Sequence, residues 1–273
     1  MIHKTAITLT SALAVASSAS AGWHHEIDLD QYEHGTVLNG VDLGPFTASA
    51  DSFHSTTDLL VAFDTTQTGT RDRDLEGPNS GGGSWKDGNL AGTTADVGTI
   101  LIIQEINSSF AGYTDGSQTV VSRPDDEGRR SGGTQPGAGE ITLDFHSGVN
   151  AFGFTLIDVE KTGEFNNETG FFALFSDGNQ TTKVSFADLI DENSVYYDPS
   201  IEFGDNSANR IEALTAAELG LEQIERVTIN LGGSGGVGEF TVTGVPTPSA
   251  MLGGLGLMAM LVSRRNSRKR CHA

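Results

Sequence analysis

The apolar residues of this 273-residue chain fall in short runs with a two-residue period, separated by Gly, Asn, Asp and Ser. That pattern, more than any other, limits what the chain can fold into. In Phe152-Gly153-Phe154-Thr155-Leu156 the large side chains take every second position, so an extended segment buries one face. Val227, Ile229 and Leu231 repeat it. Strands are expected over 59–63, 99–104, 140–145, 151–157, 171–175, 183–186, 226–231 and 239–243, with 35 glycines supplying turns between them. One short helix is expected over 215–224, where Thr215 serves as N-cap, Glu218 completes a capping box and Gly220 then interrupts. Many strands without an alternating strand–helix rhythm predict an all-β fold, a jelly-roll-like antiparallel β-sandwich, with a β-solenoid as the alternative. The stretch 65–98 holds few apolar residues and reads as a long loop, of a length that goes with binding or disorder.

The two ends differ from this body. Residues 1–21 open on Lys4, continue through an apolar stretch over 6–16 and finish on the small residues Ala19, Ser20 and Ala21. That is the plan of a secretory signal peptide cut after Ala21, and it implies the Sec translocon and signal peptidase as partners. At the other end, Pro246, Pro248 and Ser249 precede an apolar run over 250–262, which stops at Arg264, Arg265, Arg268, Lys269 and Arg270. A full helical span needs about 17–20 apolar residues. This shorter, glycine-rich helix is therefore expected to hold the inner membrane only transiently, with its basic end in the cytoplasm and 22–244 outside as an acidic ectodomain.

The Pro-x-Pro-Ser element, the Gly-Leu-Gly-Leu segment and the terminal Arg/Lys cluster resemble the PEP-CTERM sorting domain over residues 245–273. Thr247 takes the place where that family usually has Glu. The resemblance implies recognition by an exosortase, which removes the tail as the chain passes to the cell envelope, cell surface or extracellular matrix. Asp72-Arg73-Asp74-Leu75, Gly88-Asn89-Leu90, Leu101-Ile102-Ile103, Pro124-Asp125-Asp126-Glu127 and Val227-Thr228-Ile229 are similar to ectodomains found beside such tails, which imply no particular activity.

The formal charge of −20 conceals a division, because Lys4 and the five basic tail residues account for six of the 16 cations. Ten cations then face 36 acids, and the processed body carries −26. Such a surface repels phosphate backbones and argues against nucleic acid as a partner. Cys271 is the single cysteine, so neither an intramolecular disulfide nor a cysteine-based metal centre can form.

Five constellations bear on chemistry. Asp72, Asp74 and Glu76 alternate on a turn ahead of Gly77 and are the candidate calcium ligands, with Asp64, Asp125, Asp126 and Glu127 available to complete the shell. Gly83 stands where an EF-hand needs its bidentate acid, which rejects that motif. Cleavage after Ala21 would expose Gly22, Trp23 and His24, whose amine, amides and imidazole can enclose Cu(II) or Ni(II) in a square plane, with His25 and His34 nearby. Gly232-Gly233-Ser234-Gly235-Gly236 matches the nucleophile-elbow pattern, but a strand follows it and no acid–histidine order can be assembled after Ser234. Trp85, Tyr113, Tyr196 and Tyr197 are the candidates for stacking on sugar rings, and pairs such as Glu140 with Asp144 or Asp158 with Glu160 for glycoside hydrolysis.

The expected function is that of a non-enzymatic envelope or matrix protein acting in surface display, adhesion or exopolysaccharide association. No cofactor is required for it. The alternatives are a calcium-dependent carbohydrate-binding module and a secreted polysaccharide hydrolase.

Overall fold

The computed structural model describes residues 24–54, 58–77, 85–93, 97–105, 112–115, 118–127, 137–159 and 171–244. The expected signal peptide, with Ala19 and Ala21, and the sorting tail, with Pro246, Pro248, Ser249, Arg264 and Arg265, lie outside the described residues. The strands are β1 (His24–Glu26), β2 (Val41–Asp42), β3 (Phe46–Ser52), β4 (Leu60–Asp64), β5 (Thr99–Ile103), β6 (Gly112–Asp115), β7 (Gln118–Val121), β8 (Gly139–Ile157), β9 (Phe172–Ser176) and β10 (Thr181–Ser185). A short helix α1 (Phe186–Ile190) follows, and then β11 (Ala208–Thr215), β12 (Ile224–Leu231) and β13 (Gly236–Gly244). The fold is all-β, as expected, and every ladder is antiparallel.

The organising element is β8, whose 19 residues take part in two ladders. Its first half, opposite β3 on one edge and β12 on the other, belongs to the order β2-β3-β8-β12-β9-β10. Its second half lies between β11 and β13, and β13 carries the ladder on to β5 and β4. Two strands were expected over 140–145 and 151–157; a single one runs through both, and its polar middle, His146 and Ser147, is exposed where it passes from one ladder to the other. The inward residues change parity across this passage, from Ile141 and Leu143 to Phe152, Phe154 and Leu156. A one-residue slip turns every later side chain to the other face, and bulges in the β12 and β13 pairings take up that slip.

The two ladders bury a common core. Phe46 of β3 meets Phe240 of β13 across the layers with ring centroids 5.5 Å apart, and Phe152 lies 5.8 Å from Phe240 on its own side. A second, smaller core occupies the outer face of the β8-β13-β5-β4 ladder, where Val61, Phe63, Ile100, Ile102 and Ile157 meet Leu75 and Trp85. The described parts of the stretch expected to be a long loop thus act as a cover, with Leu75 and Trp85 at most 1% exposed. The cover buries Ile157 on this outer face, whereas 139–145 alternates between buried and half-buried residues.

The helix expected over 215–224 is not present. The capping box there does form, since the Glu218 N–H donates to Thr215 Oγ1 (3.1 Å) and the Thr215 N–H donates to Glu218 Oε2 (2.8 Å). Gly220, at φ +71°, closes the chain after one turn, and its apolar neighbours Leu219 and Leu221 turn into the core. The helix instead follows β10, where Ser185 and Asp188 make a capping box: the Ala187 N–H donates to Ser185 Oγ (3.3 Å) and the Ser185 N–H to Asp188 Oδ2 (3.0 Å). Replacing Ser185 with Ala is expected to lower stability by about 1 kcal/mol, read as a shift of the urea midpoint.

Candidate functional site

Beyond the cover, the outer face of the second ladder opens into a groove of about 750 Å³. The register sets Arg210, Thr155 and Gly238 in one row across β11, β8 and β13. A bulge after Gly238 brings Glu239 to φ +43°, a conformation that few side-chain-bearing residues adopt. The Glu239 carboxylate accepts from Thr155 Oγ1 at 2.8 Å and from the Arg210 guanidinium at 2.5 Å. On the facing wall Ile27 and Leu29 enter the core, which leaves Glu26, Asp28 and Asp30 exposed. Asp30 accepts the Thr99 N–H at 2.7 Å, and Gly98, at φ +64°, lets the carboxylate approach where a Cβ would collide with it.

Asp30, Gly98 and Thr99 also line a second hollow of about 450 Å³ that adds Glu33, His34 and Asp64. His34 Nδ1 accepts the Asp64 N–H (3.1 Å). Burial lowers the His34 pKa against the opposing pull of the Asp64 charge, so the ring is neutral at neutral pH. Among the described residues, the two hollows are lined by six carboxylates, of Glu26, Asp28, Asp30, Glu33, Asp64 and Glu239, and by one guanidinium, of Arg210, in the first hollow. Sequence reading missed this site, because Arg210 and Glu239 sit on different strands and only the bulge aims Glu239 at its partner.

A second polar cluster lies where the cover meets the sandwich. Asp72, Asp126 and Asp158 are 9%, 7% and 2% exposed. Ser234 Oγ is 2.8 Å from Asp126 Oδ2 and 3.2 Å from Asp158 Oδ2, the Gly235 N–H donates to Asp126, and the Asn206 N–H donates to Asp158 at 2.7 Å. Burial raises the Asp158 pKa to about 7, in opposition to the Asn206 hydrogen bond and assisted by the charges of Asp72 and Asp74. Asp126 is raised well above the ordinary carboxylate value by burial and by the adjoining Asp72. Asp125, paired with Arg71, is raised to about 7 by burial and by Glu105.

The residues singled out in the sequence are distributed differently from expectation. Asp72 turns to Asp126, whereas Glu76 Oε1 accepts from the N–H and hydroxyl of Thr70 at 2.6 and 2.8 Å, so Asp72, Asp74 and Glu76 do not converge. Among the described residues no three His, Cys, Asp or Glu side chains stand together as a metal-holding group. Gly22 and Trp23 lie outside the described residues, and His24 is held in β1 opposite Thr243. Ser234 faces two acids rather than a histidine. Trp85 is buried beneath the cover and cannot stack on a sugar, Tyr196 packs partly against the main core, Tyr197 is 38% exposed, and the Tyr113 side chain lies outside the described residues. Glu140 is bonded to Asn230 and Asp144 to Arg226, while Glu160 lies outside the described residues. Comparison with protein-family models, with curated proteins and with solved structures finds no match.

Proposed function

We propose that this chain is an exported, non-catalytic protein of the cell envelope or extracellular matrix, sorted by exosortase-type processing, whose sandwich associates with exopolysaccharide. The two ladders sharing β8 are read as a jelly-roll-like sandwich. The observation that carries the binding reading is the groove along Glu26, Asp28, Asp30 and Glu239, where carboxylates outnumber their one guanidinium partner and Thr99 and Thr241 add uncharged polar groups. Such a lining favours a hydroxyl-rich chain carrying amines, because ammonium groups meet the carboxylates while sugar hydroxyls exchange hydrogen bonds with the remaining walls.

Export is tested by fractionating the native cells and mapping both termini of the recovered protein, which is expected to begin at Gly22 and to lack the basic tail. Recovery of the uncut 273-residue chain from the cytosol overturns that part. Binding is tested with the purified ectodomain on a partially de-N-acetylated amino-sugar polymer and on its fully acetylated form. Retention on the first alone is expected, with Asp28→Asn and Glu239→Gln each weakening it by roughly two- to five-fold, the range of an exposed ion pair. Equal retention of both polymers, or indifference to these substitutions, counts against the groove. A basic peptide that competes as well as the polymer would make charge alone the determinant.

A further inference from the structure

The strap formed by residues 65–77 is bonded at its start to Gly98, whose carbonyl accepts the Thr65 N–H (3.1 Å) and Thr65 Oγ1 (2.8 Å), and further along it is held through side chains. Leu75 is its buried apolar anchor, and Asp72 is its buried acid, held against Asp126. Arg71 pairs with Asp125 and lies 3.6 Å from Glu105, and the Asp74 carbonyl accepts from Asn206 Nδ2 at 3.4 Å. Beneath the strap lies Trp85: a Cβ added to Gly77 would stand 3.2 Å from the indole Cζ2. By contrast, 85–93 is fastened to β11 and the turn before it through backbone bonds, Lys86 N–H to Asn206 O (3.0 Å), Ala208 N–H to Asp87 O (3.0 Å) and Leu90 N–H to Ala208 O (3.1 Å). The strap differs from 85–93 in resting a buried acid, Asp72, against an acid of another segment, Asp126.

The geometry of Ser234 supplies an independent indication of a bound proton. A hydroxyl has one hydrogen to donate, yet oxygens of both Asp126 and Asp158 stand within hydrogen-bonding distance of Ser234 Oγ. The second contact is a hydrogen bond only when one of the carboxyl groups carries a hydrogen of its own. Asp72 against Asp126 poses the same requirement, since two ionised carboxylates in contact repel.

We propose that the buried carboxyl cluster of Asp72, Asp126 and Asp158 is a proton-operated latch that holds the 65–77 strap over the outer apolar face and releases it as the pH rises through neutrality. The charged groups around it favour that direction. Arg71, Asp72 and Asp74 come from the strap, Lys86 from the segment beside it, Glu105 from the end of β5, Asp125, Asp126 and Glu127 from the segment after β7, Asp158 from the end of β8, and Asp205 from the turn before β11. Among the described residues, Lys86 is engaged by Asp205 at 2.9 Å with Asp74 and Asp158 farther off, and Arg71 is taken up by Asp125 and Glu105, so acids outnumber cations around the cluster. Once Asp126 and Asp158 lose their protons, their charges repel Asp72 on the strap and oppose its closure.

The chain holds two tryptophans, so Trp23→Phe leaves Trp85 as the sole reporter. In the full chain carrying that change, acrylamide quenching of Trp85 is expected to rise several-fold between about pH 5.5 and about pH 8.5, with the far-ultraviolet β signal unchanged. Asp126→Asn with Asp158→Asn is expected to flatten the rise. Asp72→Asn, which alters the strap and not the sandwich, should do the same if the double variant does not fold. Quenching that stays level across this range overturns the latch, as does an equal rise in the Asp72→Asn protein. A rise that coincides with loss of the β signal is global unfolding and overturns it equally.

Discussion

Phe240→Ala is expected to lower the unfolding free energy by about 3–5 kcal/mol, among the largest single effects available in this chain. Phe240 is fully buried in β13 and touches Phe46 of the facing ladder as well as Phe152 of its own, so its removal opens a hole that neither layer can close alone. Surrounding backbone cannot collapse into the space, because β13 is hydrogen-bonded to β8 on one edge and to β1 and β5 on the other. A loss of that size removes a large share of the roughly 5–15 kcal/mol typical of a folded domain. The contrasting substitution is Phe172→Ala. Phe172 is 7% exposed, with the Lys183 ammonium 4.0 Å from its ring centroid, and has solvent nearby to fill the gap. A loss of about 1–2 kcal/mol is expected there. Urea unfolding of the two variants with an unchanged denaturant slope checks the ranking; equal losses would show that the layers are not bridged through Phe240.

What was legible in the sequence follows the physical origin of each signal. β12 carries large apolar residues at the two-residue period and β4 and β5 are short continuous apolar runs, and that information is local. β3 escaped because its inward residues after Phe46 are Ala48 and Ala50, too small to stand out although Phe46 is fully buried. β11 escaped because a bulge between Ile211 and Leu214 breaks its period, and because Thr215 reads as the start of a helix that Gly220 then stops. The capping-box pattern was a sound signal for a chain turn at both Thr215 and Ser185, but packing decided which turn propagated: Phe186 and Leu189 find the core beside Phe171 and Phe203, whereas 215–221 closes on itself.

The sites were less legible, for a related reason. A carboxylate advertises itself only by its neighbours in sequence, and the partners that matter are distant: Ser234 and Asp126 are 108 positions apart, Asn206 and Asp158 are 48 apart. The alternation of Asp72, Asp74 and Glu76 suggested three ligands converging on one cation. A turn at 72–76 separates them instead, and it leaves Asp72 with the acids of two other segments. The acid-rich composition was legible at once; which acids are buried together was decided by the cover, whose apolar anchors Leu75 and Trp85 are isolated in a polar stretch.

Burial of Asp158 has a thermodynamic consequence that can be measured without reference to the strap. Its pKa is about 7 in the folded protein against an ordinary value of 3.8, so the folded state binds a proton more tightly than the unfolded chain does. Stability from this group is therefore fully present below about pH 4 and is lost as the pH rises through about 7, a total on the order of 4 kcal/mol. Asp126 adds a loss of the same sign, because its pKa is raised as well. Acidic proteins whose carboxylates are salt-bridged behave in the opposite way and weaken on acidification. Asp158→Asn replaces the titrating group with a neutral one that still accepts the Asn206 N–H and can donate to Ser234. The variant is expected to match the parent near pH 4.5 within about 1 kcal/mol and to exceed it near pH 8.5 by about 2–4 kcal/mol, read from urea midpoints at the two values. Parallel pH profiles for the two proteins would mean that Asp158 stays ionised throughout, and that its hydrogen bonds from Asn206 and Ser234 outweigh the burial that opposes its charge.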